Sequence, residues 1–285
     1  MSFKPLYNLN SKGNLQIWEI KVVDNKLIKE FGLTDGKKTI VEKIIHGKNK
    51  GKKNETSDHS QALLQAQSDY LKKIDSGYSE TKEIKKSILP MLALNFQNRK
   101  HDIVYPCFIQ PKLNGVRCLL INNRFYSRKG KEFYFLEGIL DTLFTSHLPK
   151  NIILDGELYS HELTFSQIIS AIKQKNQKPE YDLVSKINFI VFDCFDQTNL
   201  NIDFQDRIQL VSQIINKKFV IPTLNCRNED CIDTYHKKYI KENYEGIIIR
   251  NKLGGYLLNK RSKNLQKLKF TIDDEFKIVS FSEGY

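Results

Sequence analysis

Gln110-Pro111-Lys112-Leu113-Asn114-Gly115-Val116-Arg117 is the stretch on which the reading of this chain turns. The run Tyr105 to Ile109 before it predicts a strand that ends in proline. A lysine follows, and a glycine turn then delivers an arginine five residues further on. A lysine amine is a nucleophile only when neutral, a state supplied by desolvation and neighbouring cations. One lysine in a chain holding 45 Lys and Arg is by itself far more often a surface residue than a reagent. The assignment therefore depends on what the rest of the chain sets beside it.

Working outward, Leu154-Asp155-Gly156-Glu157-Leu158 closes the apolar run Ile152 to Leu154 with two acids. Residues two apart on a strand share a face, so Asp155 and Glu157 project together, suited to a divalent cation or a ribose, or else to a solvated strand end. Phe192-Asp193 ends the apolar run Phe189 to Val191, and Phe192 is either a platform for a base or a plain core residue. Tyr244-Glu245-Gly246-Ile247-Ile248-Ile249-Arg250 puts an acid at the start of a buried strand and a cation at its end. In Leu265-Gln266-Lys267-Leu268-Lys269-Phe270 the alternation aims Lys267 and Lys269 to one face, with Leu268 and Phe270 on the other. Paired lysines suit a phosphate chain and equally a solvated face. Arg128, in Ser127-Arg128-Lys129-Gly130, and Arg261, in Arg261-Ser262, carry the same ambiguity.

In order and spacing these stretches resemble the covalent nucleotidyltransferases, and within them the ATP-dependent polynucleotide ligases. Lys112 to Arg117 is similar to that family's K-x-D-G-x-R motif, and Ser127 to Gly130 to the segment that follows it. Asp155 to Glu157 is similar to D-G-E, Phe192-Asp193 to F-D, Glu245 to Arg250 to E-G-x-x-x-R, and Lys267 to Lys269 to K-x-K. All six occur in order over about 160 residues, and Pro90-Met91-Leu92-Ala93 resembles the approach to DNA ligase cores. Two positions depart from the pattern: Asn114 stands where the family has aspartate, and Gln110 where an acid is common.

The resemblance implies an α+β fold: a nucleotidyltransferase (ATP-grasp-like ligase) core of antiparallel sheets with flanking helices, preceded by a small β-rich module with one helix. It implies ATP-dependent DNA ligation, in which Lys112 attacks ATP to give a lysyl-AMP adduct, AMP passes to a 5′-phosphate at a nick, and the 3′-hydroxyl displaces it. Gln110, Pro111, Arg117, Glu157, Phe192, Glu245, Arg250, Lys267 and Lys269 would bind the nucleotide. Glu157 and Glu245 would also hold Mg²⁺, while Arg128 and Arg261 would reach AMP or the nick phosphate. RNA ligases and mRNA-capping guanylyltransferases share the lysine chemistry. A non-catalytic nucleic-acid-binding module with a decayed site, given Asn114, is the alternative from another class. Zinc cysteines of the NAD-dependent relatives are not evident. The family's core is followed by an OB-type barrel, and Asp274 to Val279 is similar to its first strand, so the sequence carries only the start of that barrel and self-adenylation is expected to be slow.

Composition sets the outer bounds. The 285 residues predict more than one compact unit, and 40% hydrophobic residues with 17 Phe and 13 Tyr exclude wholesale disorder. The excess of 45 Lys and Arg over 33 Asp and Glu, a formal +12, suits a polyanionic partner and equally a lysine-rich coding composition; nicked double-stranded DNA is the partner the resemblance implies. No run nears the roughly 20 apolar residues of a membrane span, and the start lacks a signal-peptide core. A soluble intracellular monomer is the expectation. Five dispersed cysteines fit neither a disulfide framework nor a structural zinc site. The predicted division is 1–85 for the β-rich module and linker, 86–272 for the adenylation domain, and 273–285 for the start of the barrel. In the first part, strands over Gln16 to Val22, Leu27 to Phe31 and Lys38 to Ile45 precede a basic loop and a helix from Thr56, Ser57 or Asp58 to about Ile74, with Ala62, Leu63, Ala66, Tyr70 and Leu71 on one face. Trp18, Gly32, the hairpins and this loop resemble WGR-type DNA-binding modules. Lys48, Lys50, Lys52 and Lys53 would grip the DNA backbone. Asp75 to Lys86 reads as a linker, and helices are expected over Thr164 to Lys175 and Asp206 to Asn216.

Overall fold

The computed structural model describes residues 3–10, 12–83, 88–173, 181–270 and 280. The chain divides into one unit of Met1–Ile88 with Lys129–Lys131, and a second of Leu89–Arg128 with Glu132–Tyr285. The strand proposed over Asp274 to Val279, residues 174–175 of one helix and residues 84–86 of the linker lie outside the described residues. Among the described residues, no helix is long and apolar enough to cross a membrane.

The first unit is an antiparallel meander, β1 (Leu6–Leu9), β2 (Leu15–Val23), β3 (Lys26–Leu33) and β4 (Lys38–Ile44), followed by α1 (Asp58–Asp75). Alternation on β2 sends Trp18, Ile20 and Val22 to one face, where they meet Leu6, Leu27 and the helix residues Ala62, Ala66 and Tyr70. Asp24, with φ 54°, allows the two-residue turn between β2 and β3. Ser57 caps α1 by accepting the Ser60 N–H at 3.2 Å. Leu71, expected on the buried face, is 54% exposed, because alanines and Tyr70 make the buried stripe. The basic loop is pinned at its base by Lys48 N–H to Thr56 Oγ1 at 2.9 Å and Thr56 N–H to the Lys48 carbonyl at 3.0 Å.

The second unit contains, in chain order, β5 (Leu92–Asn95), α2 (Phe96–Arg99), β6 (Cys107–Lys112), β7 (Val116–Ile121), β8 (Arg124–Ser127), β9 (Glu132–Phe133), β10 (Ile152–Tyr159), α3 (Phe165–Ile172), α4 (Tyr181–Val184), β11 (Asn188–Asp196), α5 (Phe204–Ile214), β12 (Leu224–Cys226), α6 (Glu229–Lys241), β13 (Gly246–Arg250) and β14 (Arg261–Lys269). They build two five-stranded sheets, ordered β11-β10-β7-β8-β9 and β12-β6-β13-β14-β5. All pairings are antiparallel except β14 with β5.

Each sheet covers its own core. Leu120, Leu154, Phe189 and Val191 pack with Ile168 and Ile172 of α3 and with Ile208 and Val211 of α5. Ile109, Ile247, Ile249 and Leu268 pack with Ile232 and Tyr239 of α6. A third cluster, Leu113, Phe192 and Ile221, underlies the site described next.

Sequence periodicity locates most of these elements, with instructive departures. β6 runs on through Pro111 to Lys112 instead of stopping before the proline. Its neighbour β12 pairs only as far as Ile109, so at residue 111 a missing N–H costs no ladder bond on that side. α3 starts at a capping box formed by Thr164 and Gln167. α5 begins two residues earlier than expected and ends at Ile214. Phe270 lies beyond the end of β14 and is 53% exposed, not buried beside Leu268. The five cysteines are free thiols.

Candidate active site

Three neighbouring strands bring one chemical row together. In the β6–β13–β14 ladder Gly246 lies opposite both Lys112 and Lys269. Glu245 donates its N–H to the Lys112 carbonyl at 3.0 Å, so the acid stands beside the lysine by backbone register alone. Its carboxylate takes a hydrogen bond from Lys112 Nζ through Oε2 and from Lys269 Nζ through Oε1. Burial opposes its charge, but the two lysines outweigh burial and hold the Glu245 carboxyl below the usual range. Gly246 makes the row close: its φ is +144°, and a Cβ there would lie 2.1 Å from the Leu268 carbonyl oxygen.

The other sheet supplies the second acid. Arg117 on β7 sits opposite Glu157 on β10. Glu157 Oε1 accepts the Gly115 N–H at 2.8 Å, and a Cβ on Gly115 would come within 2.4 Å of the Leu158 carbonyl. The glycine turn thus lets the main chain close on the carboxylate. Burial pushes Glu157 up to about 7, against the Gly115 N–H, Lys112 and Arg117, which pull it down. Asp155, expected to project alongside Glu157, is wholly buried. It takes Arg117 Nε at 2.7 Å and Nη2 at 2.6 Å, plus the Tyr256 hydroxyl. One acid of the pair anchors an arginine, and the other holds the turn that follows Lys112.

Phe192 is 8% exposed, with the Arg117 guanidinium carbon 4.7 Å and that of Arg250 5.6 Å from its ring centre. Below it lies a closed polar network. Asp193 accepts Arg207 Nε at 2.8 Å and Nη2 at 3.0 Å, and Arg250 Nη1 at 2.7 Å. Burial alone would raise the Asp193 carboxyl, but Arg207 and Arg250 hold it below its ordinary value. Arg250 Nε donates to Gln110 Oε1 at 2.9 Å, while Gln110 Nε2 donates to the Phe192 carbonyl at 3.1 Å and to Thr223 Oγ1 at 3.0 Å. Gln110 and Arg250 are therefore buried beneath the Phe192 platform with these polar atoms engaged with protein, while Pro111 is buried in β6 opposite Ile247.

The remaining cations spread outward. Lys267 is half-buried, and burial with the nearby Lys269, Lys112 and Arg261 lowers its pKa. Arg261 is exposed and donates through Nη1 to the Ala93 carbonyl at 2.7 Å. Arg128 is exposed on the turn after β8. Lys48, Lys50, Lys52 and Lys53 are exposed on the loop of the first unit. Three contributors escape the motif reading: Arg207, Tyr256 and Thr223. Arg207 had a signal, a cation among the apolar positions Phe204, Ile208 and Val211 of one helix face. Tyr256 and Thr223 sit in loops whose partners are distant in sequence, and had none.

Against known proteins, residues 90–269 match the family model described as ATP dependent DNA ligase domain. The chain is 32% identical over 266 residues to a DNA ligase of African swine fever virus, covering 85% of this chain and 61% of that protein. Among solved structures, a Lig E DNA ligase superposes with TM-score 0.52 at 17% identity, covering 66% of this chain and 70% of that one. A Chlorella virus DNA ligase-adenylate does so with TM-score 0.50 at 22% identity, covering 65% of this chain and 69% of that one. These structures speak for the fold. The chain spans about 61% of the length of the African swine fever virus ligases it matches.

Proposed function

Since this chain belongs to the family of ATP-dependent DNA ligase domains, we propose that it transfers AMP from ATP, through Lys112, to the 5′-phosphate of a nick in double-stranded DNA, where the 3′-hydroxyl then seals the break. The observation that carries this reading is the Lys112 amine, hydrogen-bonded to the Glu245 carboxylate that Lys269 also holds, with the turn that follows it closed on Glu157 through the Gly115 N–H.

In the first step the Lys112 amine, as free base, attacks the α-phosphorus of its substrate ATP. The N–P bond forms as the bridging bond to the β-phosphate breaks, and pyrophosphate leaves. The amine gives up its protons to solvent, while Glu245 Oε2, with which it is hydrogen-bonded, orients it. Lys267, Lys269 and Arg117 offset phosphate charge, the main requirement of such transfers. Phe192 offers the base a flat apolar wall, and Gln110 and Arg250 brace that wall from below. In the second step the 5′-phosphate oxygen displaces Lys112 from the adenylate phosphorus, returning the amine. In the third the 3′-hydroxyl oxygen displaces AMP and its proton departs to solvent.

Glu157 and Glu245 would hold a magnesium ion: Glu245 bonds the Lys112 amine and Glu157 bonds the Gly115 N–H of the turn after it, and Mg²⁺ takes one or two carboxylates with water and phosphate oxygen. When bound, the ion would supply Lewis-acid neutralisation of phosphate oxygens. Arg128 and Arg261 are assigned to DNA, as are the loop lysines of the first unit. Incubation with α-labelled ATP tests the nucleophile. The chain is expected to retain label through a denaturing gel and Lys112→Ala to retain none. Persistent labelling of that variant would remove Lys112 from the mechanism.

A further inference from the structure

Tyr256 belongs to none of the stretches that define the site, yet it is 1% exposed and its hydroxyl is bonded on both sides. It accepts the Met91 N–H at 3.0 Å and donates to Asp155 Oδ2. Asp155 holds Arg117 through both oxygens, and Arg117 Nη2 returns to the Met91 carbonyl at 3.1 Å. The circuit is closed: Met91 amide, Tyr256 hydroxyl, Asp155 carboxylate, Arg117 guanidinium, Met91 carbonyl. Both backbone polar groups of one buried residue are absorbed in it.

The anchor is fixed from outside as well. The Tyr256 ring stacks on Phe195 with centroids 4.0 Å apart and planes inclined by 21°. Its backbone N–H donates to the Leu200 carbonyl at 2.7 Å, and Leu257 N–H reaches Met91 Sδ at 3.4 Å. Packing accounts for the ring but not for the hydroxyl, since phenylalanine would fill the same stack. Asp155 is already paired twice by Arg117, so the oxygen of Tyr256 adds a direction to that pair: it occupies one side of Oδ2 and fixes where the carboxylate presents itself. Burial and the Asp155 charge keep the phenol protonated, hence a donor.

We propose that Tyr256 is a positioning residue of the nucleotide site, orienting the Arg117 guanidinium beside Phe192 by way of Asp155; the nucleotide part of this assignment rests on the function proposed above. A fixed guanidinium needs no reordering when a phosphate or ribose arrives, and that pre-organisation is what the hydroxyl contributes.

Two measurements on the full chain test it. The first needs no nucleotide: side-chain arginine ¹⁵N spectra, with the Arg117 Nε–H signal assigned by its loss in Arg117→Lys. In Tyr256→Phe this proton is expected to exchange with water about tenfold faster or more, as an opened hydrogen bond does. An unchanged Arg117 signal would overturn the assignment. The second is ATP-dependent labelling of Lys112. Tyr256→Phe is expected to raise the apparent KM for ATP about tenfold with kcat nearly kept, and to add nothing further in an Arg117→Ala background. Full additivity in that background would show a merely structural role. Should Tyr256→Phe not fold, Asp155→Asn breaks the same circuit and is held to the same outcomes. A wild-type chain that takes no label would sink the nucleotide reading alone, and the arginine spectrum would still decide what holds Arg117.

Discussion

Glu157 carries a testable electrostatic consequence. Its folded pKa, near 7 against an ordinary 4.5, is raised chiefly by burial, so the folded chain binds this proton more tightly than the unfolded one. Stability contributed by the protonated acid is therefore present at low pH and lost as pH climbs from about 4.5 to 7. Glu157→Gln is expected to stabilise the chain by about 2 kcal/mol at pH 8 and not at pH 4, measured by urea unfolding at both. The same titration bears on chemistry, because magnesium and ribose hydroxyls prefer the ionised carboxylate. ATP-dependent labelling is expected to rise through pH 7, and the Gln variant to flatten that rise. Equal pH profiles for both proteins would take Glu157 out of the ligand's reach.

At the scale of elements, the turn from Glu245 into β13 is the most demanding join. Gly246→Ala would set a methyl against a carbonyl fixed in β14, in a left-handed conformation that alanine avoids. A loss on the order of 3 kcal/mol is expected in thermal or urea unfolding, with labelling lost together with the β13–β14 pairing. The sequence made this element legible: four consecutive apolar residues between an acid and a cation read as a buried strand, and Ile247 and Ile249 are indeed fully buried. Lys112, Glu157, Glu245 and Lys269 were legible too, because the motif fixes residue type and spacing together. What escaped was everything closed through space. Asp155 and Glu157 share a strand face, but nothing local says that Arg117 and Tyr256 consume one and leave the other. Pro111 read as a strand stop because the limit of β12 pairing cannot be seen from β6 itself. Arg207 belongs to no motif, and its partner Asp193 stands fourteen residues upstream on another element.

For the whole molecule the governing quantity is charge. A formal +12 spread over two units favours a polyanion, and the exposed Lys48, Lys50, Lys52 and Lys53 concentrate part of it on one pinned loop. Replacing these four lysines by alanine is expected to weaken binding to nicked duplex uniformly across sequences. It should also reduce the magnitude of the log K against log salt slope by about 3, read by fluorescence anisotropy from 50 to 200 mM salt. An unaltered slope would mark the loop as a bystander. Lys112, Glu245 and Lys269, far apart in the chain, meet because three strands agree on one backbone register. A slip of one residue in that register turns every side chain of the strand to the opposite face. Point changes can grade this site up or down, but a one-codon insertion or deletion within β6, β13 or β14 would abolish it outright. Length variation tolerated during divergence should therefore collect in the connecting loops and spare these three strands.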